Sequence, residues 1–315
     1  MLVFSIRRIL VAIPTLLIVL TITFVLVRIA PGDPAEVRLG DYASKEAVEA
    51  LRRQMGLDRP MWVQYLEALK GLLQADFGRS IINGRPISGD LKRALPYTIQ
   101  LTLFGIIFGA LFGIPTGVYS ALRRNTLTDY IGRTLSLGGL SIPSFYLGIL
   151  LMLVFSIRIP LFPVVGGGDI HDLADNLYHL FLPGLTLGLV MTAYVTRMTR
   201  SSVLNTLNED FMRTARSKGL SRRQALWRHA FRNALIPVLT ILGLQFSFLL
   251  AGAIIIENVF FLPGLGRLVF QGIIQRDLMV VKSVIILLVF AVVAVTFLVD
   301  MAYAAADPRL RRHAS

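Results

Sequence analysis

Little in this sequence has the residue types and spacing that covalent chemistry demands. There is no cysteine, so neither a disulfide nor a thiolate metal site can form. The four histidines, His171, His179, His229 and His313, keep no H-x-x-x-H or similar ligand spacing and read as polar loop residues. No Gly-x4-Gly-Lys-Ser/Thr stretch cradles phosphates, and no Ser/His/Asp set or pair of carboxylates stands out. The residues left are charges and amides beside apolar runs: Arg133, Arg158, Arg197, Glu257, Lys282, Asp300 and Gln245. A charge inside an apolar run is a functional hypothesis, unless it sits at the run's end and snorkels to the interface. Arg158, Lys282 and Asp300 fit snorkelling. Glu257 is the strongest functional candidate, because it closes an apolar run just before Pro263-Gly264-Leu265-Gly266, a turn expected to re-enter or cap an external mouth. Gln245 faces either a path or a neighbouring helix, and the residues favour neither.

These groups need positioning, and the apolar runs supply it. The chain has 315 residues, 55% of them hydrophobic and only 16% charged. That is too little charge to cover a soluble domain, and the apolar residues cluster into runs close to the roughly 20 residues that cross a bilayer. Six spans are expected: about Ile9–Val27, Thr98–Leu122, Tyr130–Ile157, Leu180–Val195, Ala234–Ile256 and Val280–Val299. The first is read as retained, since its apolar stretch is long for a signal peptide and no small-residue cleavage site follows. Pro115, Pro143 and Pro183 lie within spans, where neighbouring helices or water can satisfy the freed carbonyls. The fold class is all-α and polytopic.

The net charge of +13 would suggest nucleic acid in a soluble chain, but here the basic residues bracket apolar runs. Arg7 and Arg8, Arg123 and Arg124, the many arginines of 197–232, and Arg309, Arg311 and Arg312 all fall on one side of a six-span topology. The positive-inside rule makes that side cytoplasmic and puts both termini there. Residues 30–97 are then external. Their basic residues are nearly matched by acids, and long translocated segments largely escape the rule. Ser44–Gly56 carries a Ser cap, a first-turn Glu and a terminal Gly, and Met61–Leu73 follows Pro60, so this segment should be an ordered helical cap. The chain thus divides into residues 1–29 with the first span, the cap 30–97, a five-helix core 98–303 containing a cytoplasmic loop 201–233, and a tail 304–315.

The loop is the most informative segment. Asn208, Glu209 and Asp210 supply a cap and first-turn acids, and Phe211, Met212, Ala215 and Leu220 make an apolar stripe. Gly219 stops that helix, and Ser221 caps a second one running through Trp227 and His229. Two short helices around a Gly break form a rigid knob. It could seat in a groove of a soluble partner or lie on anionic lipid.

Arg213-Thr-Ala-Arg-Ser-Lys-Gly219, followed by Arg232-Asn-Ala-Leu-Ile-Pro237, resembles the coupling motif of importer-type ABC permeases, in the version of the dipeptide, oligopeptide and nickel permease family. Arg28-Ile-Ala-Pro-Gly-Asp-Pro34 is similar to that family's signature after the first span. Glu257-Asn-Val-Phe-Phe-Leu-Pro-Gly-Leu-Gly-Arg267 resembles its segment after span five, and Asp307-Pro-Arg309 its closing turn. The general coupling consensus begins Glu-Ala-Ala where Arg213-Thr214-Ala215 stands here, and its Ile-Pro lies nearer, a departure that the subfamily shares.

The resemblance implies the first of two permease subunits in a bacterial inner-membrane importer of small peptides. It pairs as a heterodimer with a second homologous permease, two ATP-binding subunits and an extracytoplasmic solute-binding protein. ATP and magnesium belong to the ATPase subunits, and this chain holds no cofactor, does no catalysis and binds lipid but no nucleic acid. Asp210, Phe211, Met212, Arg213, Thr214, Ala215, Arg216, Lys218 and Gly219 would make the contact with the ATPase, Phe211 and Met212 as apolar anchors and the cations at the rim. Gln245, Glu257, Pro263, Gly264 and Gly266 would line the path or its gate. Nickel, glutathione or another small solute is the alternative cargo. A secondary transporter would favour inverted repeats with broken helices and midplane acids, which the sequence does not display. A receptor or scaffold would not need the Gly-broken loop.

Overall fold

The computed structural model describes residues 2–29, 34–40 and 43–306, with the backbone alone at some helical positions, among them Arg216, Arg222, Arg223 and Asp300. Asp307-Pro-Arg309, the rest of the tail and Ala30–Asp33 of the segment after the first span lie outside the described residues. Four helices precede the core-forming spans: α1 (Leu2–Ile29), α2 (Pro34–Leu39), α3 (Lys45–Gln54) and α4 (Met61–Leu73). Then come α5 (Ile87–Leu122), α6 (Leu127–Ser141), α7 (Ser144–Met152, extended as a π-helix to Arg158) and α8 (Leu173–Leu207). The short α9 (Asp210–Ser217) and α10 (Arg222–Ala225) lead through a π-helical turn, Leu226–Ala230, into α11 (Phe231–Val259), followed by α12 (Leu265–Ile274) and α13 (Leu278–Ala306). Among the described residues the one β-bridge joins Arg79 and Pro86, and there is no strand.

Prolines decide where the apolar runs break. Ile87–Leu122, Leu173–Leu207, Asn233–Val259 and Leu278–Val299 are each long and apolar enough to span a bilayer. α8 carries Pro183 inside it and stays whole. The expected third span does not. Ile142 is extended (φ −84°, ψ 122°), Pro143 caps α7, and α6 meets α7 at a bend of 98°. A residue before proline is pushed out of the helical region, and here nothing restores it, so the run is two helices rather than one straight rod. The first expected span lies in α1, whose apolar stretch Leu10–Leu26 is shorter than the other spans, although the helix has 28 residues, about 42 Å at 1.5 Å per residue. The other helices overrun their expected bounds, since a helix continues past the membrane until a cap stops it. α8 begins where Asp172 accepts from the amides of Ala174 (3.0 Å) and Asp175 (3.3 Å). His179 accordingly stands in a helix, its Nδ1 2.9 Å from the Asp175 carbonyl oxygen, and not in a loop.

By contacts the chain divides into two units, residues 98–262 and residues 1–97 with 263–315. Within residues 98–262, α8 is the central helix, packed by α6, α7 and α11 and meshed with α5. Gly105, Gly109, Gly113 and Gly117 recur every four residues along one face of α5. A Cβ added at Gly109 would lie 2.3 Å from Met191 Cγ, and at Gly113 2.7 Å from Val195 Cβ. The seam is reciprocal, because a Cβ at Gly184 or Gly188 of α8 would strike the ring of Phe104 (2.4 Å) or Phe108 (2.7 Å). Small residues let membrane helices approach until backbone and side chains interlock, which replaces the hydrophobic drive that lipid removes.

Within the other unit, α1 packs along α13 and α12 against α13. The two cap helices form as read. Ser44 caps α3 by accepting from Ala47 N at 3.2 Å, and α4 starts after Pro60. α4 leans on α1 through Tyr65, which is 2.9 Å from Thr21 Oγ1 and edge-on to Phe24 at 5.5 Å. Asp277, buried ahead of α13, accepts from Ser80 Oγ, from Ile81 N at 3.2 Å and from Val280 N at 3.3 Å. Ser283 Oγ donates to the Phe77 carbonyl at 2.9 Å. The segment 77–81 is therefore fastened to the start of α13 by buried polar bonds.

Candidate coupling segment and path residues

α9 forms because its sequence is amphipathic over two turns and punctuated at both ends. Asp210 opens it with a charge that suits the positive helix terminus. Met212 (1% exposed) and Ala215 (6%), three residues apart, turn inward. They join a cluster with Val118 and Ala121 of α5, Val203 of α8, and Ala225, Leu226, Ala230 and Ala234. Asp210, Phe211, Arg213, Thr214 and Lys218 are exposed, with Arg213 Nη1 3.8 Å from Asp210 Oδ1 across open solvent. Arg216 lies on the same helix. Gly219 has φ +83° and ends the helix in a Schellman turn, in which Leu220 N donates to the Ala215 carbonyl at 3.4 Å. Ser221 and Gln224 then form a reciprocal capping box, with Ser221 N to Gln224 Oε1 at 3.1 Å and Gln224 N to Ser221 Oγ at 3.3 Å.

Two expectations change. Met212 is no outward anchor, because its side chain is spent inside the chain's own core, and Phe211 carries the exposed apolar surface alone. Nor do two short helices make a free-standing knob. The second is the first turns of one continuous helix, α10 through the π turn into α11, with αR backbone at both junctions, Ala225 and Ala230–Phe231. Only α9 stands apart, separated by two residues from α8 and by four from α10. A displacement of α9 therefore enters two spanning helices with little slack. Ser202 Oγ, donating to Ala234 O at 2.8 Å, ties those two helices together beside it.

The sequence reading missed one buried ion pair. Asp129 of α6 is fully buried and takes a two-pronged bond from Arg200 of α8, Nε to Oδ1 at 2.6 Å and Nη2 to Oδ2 at 2.8 Å. Ser120 Oγ (2.6 Å) and Asn125 N (3.0 Å) also donate to this carboxylate, and Asn125 reaches that position with φ +63°. One carboxylate thus joins the end of α5, the turn after it, α6 and α8. The available signal was a lone acid among Arg123, Arg124 and Arg133.

The path candidates lie on α11 and at the start of α12. Glu257 is fully buried near the end of α11 and accepts from Thr98 Oγ1 at 2.6 Å, so it does not snorkel. Gln245 is half-buried on the same helix. Pro263 is exposed, Gly264 caps α12 with extended backbone (φ −95°, ψ 179°), and Gly266 is buried in that helix. The expected turn is thus the start of a short apolar helix of 10 residues. No group of three or more metal-ligating side chains occurs among the described residues.

The comparisons converge with this geometry. Residues 113–312 match the model of "Binding-protein-dependent transport system inner membrane component", and residues 1–102 match its N-terminal companion. The glutathione transport system permease protein GsiC of Salmonella typhimurium strain LT2 is 41% identical over 311 residues, 99% of each chain. Those of Escherichia coli K12 and Pectobacterium atrosepticum are 40% and 42% identical over the same share. Among solved structures, the inward-facing MetNI methionine ABC transporter aligns over 69% of this chain and 96% of its own, with TM-score 0.56 and 20% identity. An amino acid ABC transporter with histidines aligns over 69% and 94%, with TM-score 0.52 and 15% identity. At these identities the structural matches speak for the fold alone.

Proposed function

Because the chain belongs to the family of binding-protein-dependent transport system inner membrane components, and so is the membrane permease subunit of an ABC importer and not an enzyme, we propose that it carries small peptides of about glutathione's size. The carrying observation is the end-to-end identity with permeases named for glutathione, itself a tripeptide, which joins the peptide reading to its nearest alternative. The chain forms half of the path, beside a second permease. Both termini lie in the cytoplasm, and residues 30–97 receive a binding protein outside. The exposed face of α9, with Phe211 at its centre and Arg213 and Lys218 beside it, seats in an ATPase subunit. Seating supplies what coupling requires, contacts that differ between two states of the partner. Glu257, held by Thr98, stabilises the end of α11 against which the path opens and closes.

The test reconstitutes the whole complex in vesicles with its binding protein and follows ATP turnover and uptake of labelled glutathione, dipeptides and nickel. Stimulation and uptake with peptides, and not with nickel, are expected. Uptake that persists on an ion gradient without ATP would overturn the reading, and uptake confined to nickel would overturn the substrate.

A further inference from the structure

α4 turns a different face to each of its surroundings. Tyr65 meets α1, while Gln64, Ala68 and Gly71 line a cavity on another side. With about 3.6 residues per turn, Trp62, Leu66, Leu69 and Leu73 fall in one stripe about 60° wide, directed away from that cavity. The stripe is open, with Trp62 67% exposed, Leu66 52% and Leu73 82%. A contiguous apolar patch of this kind on a helix needs a cover. We infer that α4 lies in the membrane interface, its stripe inserted among the acyl carbons of one leaflet beside α1.

Position selects lipid as the cover. Tyr65 reaches Thr21 and Phe24, which belong to the apolar stretch Leu10–Leu26 of α1. Thr21 stands five residues before Leu26, about 7.5 Å along a helix that rises about 1.5 Å per residue. Trp62 is less than one turn from Tyr65, so the stripe begins at the depth of that stretch and not above it. An amphipathic helix buries its apolar face about 5–10 Å into the boundary of headgroups and acyl chains, the depth that Thr21 marks. Tryptophan favours the same boundary. On α1 itself Ile18, Ile22 and Leu26 are exposed at this level, so the stripe of α4 continues a surface already turned to lipid. A soluble binding protein would have to enter the leaflet to reach Trp62. The rest of residues 30–97 stays available to it, and the inference holds whichever side of the membrane they face.

The experiment places the assembled complex in nanodiscs containing a phosphatidylcholine with a photoreactive diazirine on an acyl carbon. After illumination, lipid adducts are mapped to peptides of this chain by mass spectrometry. Two helices of the same unit calibrate the result, α1 for lipid contact and the polar α3, which has no buried side chain, for water. Adducts on α4 should be at least about tenfold more frequent than on α3, as expected of a face lying below the headgroups. Leu66→Glu combined with Leu73→Glu should lower them to the α3 level while those on α1 persist. Labelling of α4 no higher than that of α3 would overturn the inference, as would labelling that the double variant leaves unchanged. Loss of α4 labelling on adding the binding protein would also overturn it and give the stripe to that partner. The ratio of α4 to α3 in the unmodified complex decides the matter even where the double variant does not assemble. Because uptake is not the readout, failure here leaves the transport reading intact.

Discussion

The seam between α5 and α8 and the segment α9 occupy the same unit and are built on opposite terms. Along the seam four glycines of α5 and two of α8 bring helices into interlock, with no side chain left to move. α9 has eight residues, Met212 and Ala215 as the buried side chains among those described, and breaks at both ends. The seam is confined to discrete arrangements, because interlocked surfaces are not continuously deformable. α9 has an inner face that belongs to the permease and an outer face with nothing of its own to bind. Rigidity is placed in the helices and adaptability at their junction. Substitutions should therefore separate into those that prevent folding and those that leave a folded protein working badly.

Gly109→Leu should have the largest effect. The new side chain has to displace Met191, whose Cγ would lie 2.3 Å from the added Cβ, at a cost of about 3 kcal/mol or more. Loss of monodisperse protein on size exclusion is the expected outcome. Gly138→Ala in α6 is its control, since nothing lies within 4 Å of that Cβ, and helix propensity should make it neutral or slightly stabilising. If the two behave alike, the seam is not an interlock.

Next is the ion pair where the seam meets α6. Asp129→Asn leaves Arg200 facing a neutral partner in a largely buried site and should cost about 3 kcal/mol of thermal stability. Adding Arg200→Gln should recover part of the loss, because the uncompensated charge goes. A double variant no better than Asp129→Asn alone would show that the pair acts through packing and not charge.

What the sequence could reveal follows the range of each interaction. The Ser44 cap, the α4 start after Pro60, the positive φ at Gly219 and the Ser221 cap are set by neighbours within four residues, and each stands where local signals put it. Pro143 and Pro183 carry the same local signal with opposite results, since the helices packed around each decide whether a freed carbonyl is tolerated. Glycine spacing in α5 is legible, but its partners Met191 and Val195 are not. Asp129 and Arg200 are 71 residues apart, and their meeting exists only in the folded chain. Met212 was misread because a helix stripe shows which residues share a face, not whether the cover is a partner or the chain itself.

The inner face of α9 sits between the extremes. Met212→Ala removes a buried side chain from the cluster under α9 and should cost about 2 kcal/mol, confined to that segment. Assembly of the two permeases should survive, while ATP turnover separates from uptake. Equal losses of both would mean that α9 merely supports the bundle.

The smallest effect on stability should come from the outer face and the turn behind it. At φ +83° a β-branched residue is strained by about 1–2 kcal/mol, so Gly219→Val should barely move the melting temperature of the bundle. Phe211→Ala removes a half-open ring and should move it less still. Both should nonetheless weaken ATPase co-purification or uncouple turnover from uptake, Gly219→Val by misaiming α9 and Phe211→Ala by removing its one exposed apolar contact. Lipid contact alone would give another pattern, with Phe211→Ala nearly silent and Lys218→Glu as damaging as either. The two variants also differ from Met212→Ala in a way that stability cannot mimic, for they leave the inner cluster intact. Wild-type attachment and uptake in both would show that α9 is only a link between spans, and the contrast with the seam would then be one of size and not of role.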